Sequence, residues 1–269
     1  MEGVGTALRG ARAAFVFLTR VPVGGFPYTK EEWRWSAGWF PFVGCVLGLC
    51  AAVVWWLATP LGGWPAAMTA IVFTMLVTGG FHEDGLADSA DALGGAYDRE
   101  KLFEILKDSR VGAFGALALV VSVVFRAGLL VELGGAAPAA LVLSHTVARV
   151  GPIWLMVAMP YVTDAEAKSR LVTRAGPAQG VLAAMVGVGC MAALGAVGAS
   201  PTGGVGSGPA LVGALVAMVI ATALCGWRFH ARAGGVTGDF LGASEQVNEI
   251  VVLAALLMAG AGVPLLTAT

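Results

Sequence analysis

Residues 111–133 read VGAFGALALVVSVVFRAGLLVEL, a continuous apolar stretch in which only Arg126 and Glu132 carry a charge. A helix of about 20 apolar residues crosses the hydrocarbon core of a bilayer, because each residue adds about 1.5 Å. This stretch therefore predicts a transmembrane helix. The whole chain of 269 residues is 58% hydrophobic and 12% charged, whereas soluble proteins contain about 25% charged residues. The composition thus excludes an ordinary soluble domain.

Six further stretches meet the same criterion, and the sequence predicts an all-α, polytopic integral membrane helix bundle of about seven transmembrane helices. The chain is expected to form one membrane-embedded domain over residues 1–269. The predicted spans cover residues 35–57, 64–81, 111–133, 137–159, 181–199, 210–227 and 250–266. Residues 1–34 are expected to be a cytoplasmic or interfacial segment, because their apolar run is too short for a signal-peptide core.

The basic residues outside the spans all fall in alternate connections. Of the sixteen Lys and Arg, five precede the first span, four lie between the second and third, two between the sixth and seventh, and three between the fourth and fifth (Lys168, Arg170 and Arg174). By the positive-inside rule this pattern places the N-terminus in the cytoplasm. All acidic residues except Glu132 share that side, so we expect the chemistry to face the cytoplasm.

The densest polar segment follows the second span and reads GGFHEDGLADSADALGG, residues 79–95. If it is helical, Asp84, Asp88 and Asp91 fall within an arc of about 60°. Carboxylates so placed repel one another unless a cation lies between them, and oxygen ligands favour Mg²⁺, Mn²⁺ or Ca²⁺. The pattern predicts a divalent-metal site, with Glu83 able to complete or orient the ligand set. The alternative is a structural acidic face.

Mg²⁺ commonly binds through carboxylates and substrate phosphates, so phosphoryl transfer is the first hypothesis for this segment. Two other classes stay open. The CDP-alcohol phosphotransferases, which modify lipids, use similar carboxylates, but Asp88 and Ser89 stand where that family has Ala and Arg. A secondary transporter could use the intramembrane Arg149 and His145, although the chain shows none of the repeats typical of that class.

Four blocks of the chain resemble adenosylcobinamide-GDP ribazoletransferase, the cobalamin synthase family. The blocks are FLTRVPV (17–23), HEDGLADSADALGG (82–95), DREKLFEILKDSRVGAFG (98–115) and GGVTGDFLGASEQVNE (234–249). The resemblance implies an Mg²⁺-dependent membrane transferase, with Mn²⁺ as a substitute ion. Such an enzyme joins adenosylcobinamide-GDP to α-ribazole, or to its 5′-phosphate, and releases GMP.

The resemblance also implies a multi-pass protein of the prokaryotic cytoplasmic (inner) membrane, in contact with membrane lipid and with no nucleic-acid partner. It leaves open a homo-oligomer or a contact with other enzymes that assemble the nucleotide loop. Residues 82–110 are expected to be a cytoplasmic loop carrying the acidic motif. The candidate catalytic residues are Glu83, Asp84, Asp88 and Asp91, the same four that are candidate metal ligands; which one acts as the base stays open.

The candidate substrate-binding residues are His82, Asp108, Arg110, Arg149 and Asp239. The planar guanidinium of Arg110 suits a phosphate, although a basic residue at a helix start is also a topology anchor. A charge as deep as Arg149 predicts either a diphosphate or corrin contact, or a structural pair with an acid. Arg126 is expected to stay outside the site, because snorkelling or a pair with Glu132 would satisfy it.

Overall fold

The computed structural model describes residues 2–162, 175–197 and 204–260, and these residues form helices joined by short connections. The only β-type pairing among them is an isolated parallel bridge between Tyr161 and Val236. The helices are α1 (Glu2–Leu18), α2 (Lys30–Ser36), α3 (Phe40–Ala58), α4 (Gly63–Thr78), α5 (Phe81–Gly95), α6 (Arg99–Leu106), α7 (Ala113–Leu133), α8 (Ala137–Val147), α9 (Val150–Ala158), α10 (Pro177–Val197), α11 (Gly208–Ala233) and α12 (Gly238–Gly260). The predicted all-α class is confirmed.

Five helical stretches are long and apolar enough to cross a membrane: Lys30–Leu61, Ala113–Ala158, Pro177–Ala196, Gly208–Ala233 and Gly238–Gly260. A sixth results if α4 and α5 together form one bent span. The polytopic membrane bundle is thus confirmed, but the number seven is not. The ends of the predicted spans 181–199 and 250–266, and the basic residues Lys168, Arg170 and Arg174, lie outside the described residues.

Two of the predicted spans are interrupted. The span predicted at 64–81 ends at Thr78, because Gly79 and Gly80 adopt φ values of 73° and 70° and the chain turns by 91° into α5. Only glycine adopts this left-handed backbone without strain. The span predicted at 137–159 is divided into α8 and α9 at residues 148–149. The segment 82–110, expected as a loop, is largely helical in α5 and α6.

Helix α5 packs between α7 and α12 instead of projecting into solvent. A Cβ atom at Gly85 would lie 2.8 Å from the carbonyl oxygen of Asp239, so the backbones of α5 and α12 touch at this point. Small residues allow such close approach between membrane helices. The contact brings the beginning of α12 beside the acidic segment.

Large apolar side chains remain exposed along the outer faces of the bundle, among them Leu117, Val120, Val216 and Trp227. A soluble protein rarely leaves so continuous an apolar surface in water. The exposed faces therefore fit contact with lipid. Polar side chains, including several charged ones, are instead buried inside the bundle.

Candidate functional site

Two aspartates of α5 and one of α12 form an acidic cluster, which we define as Asp84, Asp88 and Asp239. Asp84 is exposed, whereas Asp88 and Asp239 are half-buried. The charges of Asp84 and Asp239 act on the carboxylate of Asp88. Within the described residues, no Lys, Arg or His forms an ion pair with any of the three. The cluster therefore holds unbalanced negative charge, which a cation would neutralise.

Asp91, the third aspartate on the predicted face, connects α5 to α7. It is 9% exposed, its Oδ2 accepts a hydrogen bond from the backbone N–H of Gly112 (2.7 Å), and its Oδ1 accepts one from Gly115 (2.9 Å). These amides belong to the first turn of α7, where unpaired N–H groups and the helix dipole favour an anion. Asp91 thus caps α7 and holds it against the acidic helix.

Asp108 and Arg110 form a two-pronged ion pair in the link between α6 and α7. Arg110 Nε lies 2.9 Å from Oδ1 of Asp108, and Nη2 lies 2.6 Å from Oδ2. Hydrogen bonds from Arg110 lower the pKa of Asp108 to about 2. Both residues line an open cleft of about 420 Å³ that also contains Asp91 and Phe114. The structure thus brings three of the predicted site residues to one cleft.

A buried ion-pair network lies beside this site; an acid partner for Arg149 was one alternative drawn from the sequence, but the partners of Arg126 were not predicted. Arg126 is 0% exposed; its Nη2 lies 3.3 Å from Oε1 of Glu83 and its Nη1 lies 3.2 Å from Oε1 of Glu249. The expectation that Arg126 snorkels or pairs with Glu132 is wrong. Six residues along a helix correspond to about 600°, so Glu132 points about 120° away from Arg126.

Arg149 belongs to the same buried network. Its Nη1 lies 2.8 Å from Oε1 of Glu245 and donates to the carbonyl oxygen of His145 at 2.6 Å. The side chain is 3% exposed. The structure therefore shows the pair with an acid that the sequence left open as the alternative for Arg149. His82 is also buried here, with Nδ1 at 3.9 Å from Oε2 of Glu245.

His145, Glu245 and Glu249 form a buried group that could hold a metal ion, because one ligand atom from each lies within 4.8 Å of the others. Both carboxylates already face arginines, Glu245 facing Arg149 and Glu249 facing Arg126. A divalent cation would have to enter beside these two positive charges. The donor atoms fit a metal, but the charge around them favours one less than the acidic cluster does.

The sequence contained a signal for part of this network. Glu245 and Glu249 are four residues apart and therefore lie on one helix face, and Arg126 and Arg149 lie in apolar stretches where charges need partners. Spacing along the chain could not reveal which acid meets which arginine, because Glu249 and Arg126 are 123 residues apart.

Comparison with known proteins gives a consistent result. A family model described as cobalamin-5-phosphate synthase matches residues 10–257. The chain is 41% identical over 248 residues to the adenosylcobinamide-GDP ribazoletransferase of Leptothrix cholodnii, covering 88% of this chain and 90% of that protein. Proteins of the same name from Shewanella amazonensis and a Polaromonas species are each 37% identical, over 91% and 93% of this chain and 93% and 96% of theirs. No solved structure matches the chain.

Proposed function

Because the chain belongs to the cobalamin-5-phosphate synthase family, we propose that it is an adenosylcobinamide-GDP ribazoletransferase acting at the end of cobalamin biosynthesis. In this reaction a hydroxyl of α-ribazole, or of its 5′-phosphate, attacks the cobinamide-bearing phosphorus of adenosylcobinamide-GDP. The new O–P bond forms as the bond from that phosphorus to GMP breaks. The hydroxyl proton passes to a base, and GMP leaves.

The observation that carries the site assignment is the unpaired charge of the acidic cluster. Asp84 and Asp88 lie one turn apart on α5, and the contact at Gly85 adds Asp239 from α12. Oxygen donors in this arrangement suit Mg²⁺, with Mn²⁺ as a substitute. A bound Mg²⁺ would neutralise the negative charge of the substrate diphosphate. The same carboxylates supply the group that accepts the hydroxyl proton.

Glu83 has a different role in this proposal, although it is adjacent to Asp84. Its carboxylate is buried and paired with Arg126. Glu83 would have to lose this ion pair in order to bind a metal together with the acidic cluster. We therefore place Glu83 and His82 in the framework that orients α5. Arg149 joins them, because Glu245 already neutralises its charge.

Arg110 is the proposed contact for the diphosphate. Asp108 binds Nε and Nη2 of its guanidinium, which leaves Nη1 to donate to a phosphate oxygen. The guanidinium is 86% exposed and borders the cleft that contains Asp91. Asp91, by capping α7, fixes the distance between this cleft and the acidic helix.

The proposed site faces the cytoplasm, at the inner membrane of a prokaryotic cell. The support is the placement of Lys and Arg, which fall in alternate connections of the seven predicted spans, including the segment between α5 and α7.

The test is a product assay with purified protein, adenosylcobinamide-GDP, α-ribazole and a titration of Mg²⁺. Asp84→Asn and Asp88→Asn should each abolish GMP release while the protein remains folded in the membrane, because removing one charge from a repelling group does not weaken the helix. Glu100→Gln, at an exposed acid on α6, is the matched control and should keep full activity. Full activity in either aspartate variant would overturn the cluster as the metal site. If only His145→Gln raised the Mg²⁺ concentration required for activity, the metal site would instead be the buried group of His145, Glu245 and Glu249.

A further inference from the structure

A second cleft, of about 570 Å³, lies where the end of α11 meets the link between α5 and α6. We call it the Tyr97 cleft and define it by Tyr97, Asp98, Arg99, His230 and Arg232, which line it. None of these residues belongs to the acidic cluster or to the cleft at Arg110. Its volume falls in the range of small-ligand sites.

The lining is rich in donors for an anion. Arg99 and His230 are exposed, and no described carboxylate pairs with Arg99 or Arg232. The guanidinium of Arg99 lies 5.6 Å from the ring centroid of Phe103, and Nη2 of Arg232 donates to the carbonyl oxygen of Ala96 at 2.6 Å. These contacts hold both guanidinium groups while leaving further N–H groups for a ligand. Such groups form strong hydrogen bonds with phosphate oxygens.

Tyr97 and Asp98 add features that suit a purine base more than a bare phosphate. The Tyr97 side chain is 83% exposed, and an open aromatic face stacks on bases. Asp98 accepts from the backbone N–H of Lys101 through Oδ1 at 2.8 Å, so the carboxylate is fixed at the start of α6. Guanine presents an N1–H and an amino group to such an acceptor, whereas adenine has no hydrogen at N1.

The cleft is joined to the acidic cluster from two sides. Tyr97 follows the end of α5 by two residues, and Asp88 lies seven residues before that end, about 10 Å along the helix. On the other side, Gly234 of the cleft is connected to Asp239 by the short link before α12. A ligand with a phosphate at the cluster and a base in the cleft would follow α5.

We propose that the Tyr97 cleft binds the guanosine 5′-phosphate portion of the donor and retains GMP after the bond to phosphorus breaks. Tyr97 stacks on guanine and Asp98 accepts the N–H groups of the base, while Arg99 and His230 bind the phosphate of GMP once the bond to the phosphorus at the cluster has broken. This inference rests on the proposed function, which supplies a donor carrying GDP. The alternative occupant is a lipid headgroup, which offers the same phosphate chemistry. The exposed Trp227 lies about one turn before His230 on α11, and tryptophan is enriched at membrane interfaces.

The experiment measures GDP binding to the full-length protein in nanodiscs, without Mg²⁺ and without turnover. Arg99→Gln and Tyr97→Leu should each raise the Kd for GDP about tenfold, the loss of one charge-assisted hydrogen bond or one stacking contact. Lys101→Gln, a basic residue of α6 that pairs with Glu104, is the matched control and should leave it unchanged. Asp98→Asn, which keeps the helix cap, should reduce the preference for GDP over ADP.

Two results would overturn the proposal. The first is an unchanged GDP Kd in both Arg99→Gln and Tyr97→Leu. The second is a loss of co-purifying phosphatidylglycerol in Arg99→Gln with GDP binding intact, which would assign the arginine to lipid. Failure of the proposed function looks different: the wild-type protein would bind GDP with these variant effects but release no GMP. Asp84→Asn separates the two further, because it should abolish turnover while keeping the GDP Kd within about threefold.

Discussion

Arg126 is a buried cation on α7 whose partners, Glu83 and Glu249, come from two other helices. Replacing it by Gln would remove the arginine that Glu83 and Glu249 share, which costs about 3–5 kcal/mol in comparable buried pairs. We expect Arg126→Gln to lower the free energy of unfolding by about this amount, measured by denaturant titration in detergent. Glu132→Gln on the exposed side of α7 should change it by less than about 0.5 kcal/mol. A larger loss of unfolding free energy in Glu132→Gln than in Arg126→Gln would instead indicate that Arg126 pairs with Glu132.

Asp108 orients the guanidinium of Arg110, so a substitution of Asp108 should affect binding of the donor. Asp108→Asn should raise the KM for adenosylcobinamide-GDP about twofold to fivefold, a modest effect because the pair is solvent-exposed. The KM for α-ribazole should stay constant, and Asp108→Glu should recover most of the loss. Steady-state kinetics with each substrate varied in turn will decide. Equal changes in both KM values would contradict a role at the diphosphate.

The ion pair of Asp108 and Arg110 also predicts how the KM depends on pH. The pKa of Asp108 is lowered from 3.8 to about 2, so the pair is fully formed above its ordinary pKa and is lost only as the pH falls through about 2. Between about pH 5 and pH 9 the carboxylate stays ionised. Ionisation of Asp108 should therefore add no inflection to the pH dependence of the KM for adenosylcobinamide-GDP in that range. The pH profiles of the wild-type protein and Asp108→Asn should have the same shape.

At the scale of single residues, the sequence predicted the kinds of side chain in the site better than their partners. Asp84 and Asp88 lie on one face of α5, as the helical spacing required. Asp91 also lies near that face, but its oxygens are bound by amides of α7. Periodicity describes one helix at a time. It contains no information about contacts made between helices, such as the pairs of Arg126.

The turn between α4 and α5 determines where the acidic helix points. Gly79 and Gly80 both have positive φ, and a Cβ at Gly79 would collide with the guanidinium of Arg20, whereas a Cβ at Gly80 meets open space. Gly80→Ala and Gly79→Ala should therefore each cost about 1–2 kcal/mol of backbone strain, because the exposed guanidinium of Arg20 can move away from a Cβ at Gly79. Both should reduce kcat by displacing α5. Unfolding titrations and GMP-release assays measure the two effects.

The control for these variants is Gly128→Ala in α7. This glycine is helical and a Cβ there meets nothing within 4 Å, so alanine should be neutral or slightly stabilising. If Gly80→Ala were equally harmless, the left-handed turn would not be needed for the orientation of α5. Asn tolerates this backbone better than Ala, so Gly80→Asn should retain more activity than Gly80→Ala.

At the scale of helices, the sequence predicted elements correctly where hydrophobicity alone decides. Helix α3 lies almost entirely within the predicted span 35–57, and α11 contains the whole of 210–227. The 91° bend after Thr78 was missed because the apolar run continues to Phe81 across the two glycines. Two adjacent glycines are a turn signal, and this signal could have divided the span.

For the whole molecule, composition predicted the class of fold but not the number of crossings. The stretch Ala113–Ala158 is a single apolar helical run of 46 residues, although Gly134, with φ of 51°, ends α7 within it. Bent and interrupted helices make the number of spans depend on the three-dimensional path. The sidedness of the bundle therefore rests on the placement of charges alone, and it needs a direct measurement.

That measurement is cysteine labelling in a variant whose four native cysteines are replaced by alanine. Ser109, between α6 and α7, and Leu61, at the turn between α3 and α4, are both exposed, and the positive-inside rule places them on opposite sides of the membrane. In intact spheroplasts an impermeant thiol reagent should label Leu61→Cys and spare Ser109→Cys; after permeabilisation it should label both. The opposite pattern would place Arg110 and the acidic helix outside the cell. The substrates and Mg²⁺ would then have to reach the site from the periplasmic face, which contradicts the proposed cytoplasmic reaction even if the chemistry of Asp84 and Asp88 is correct.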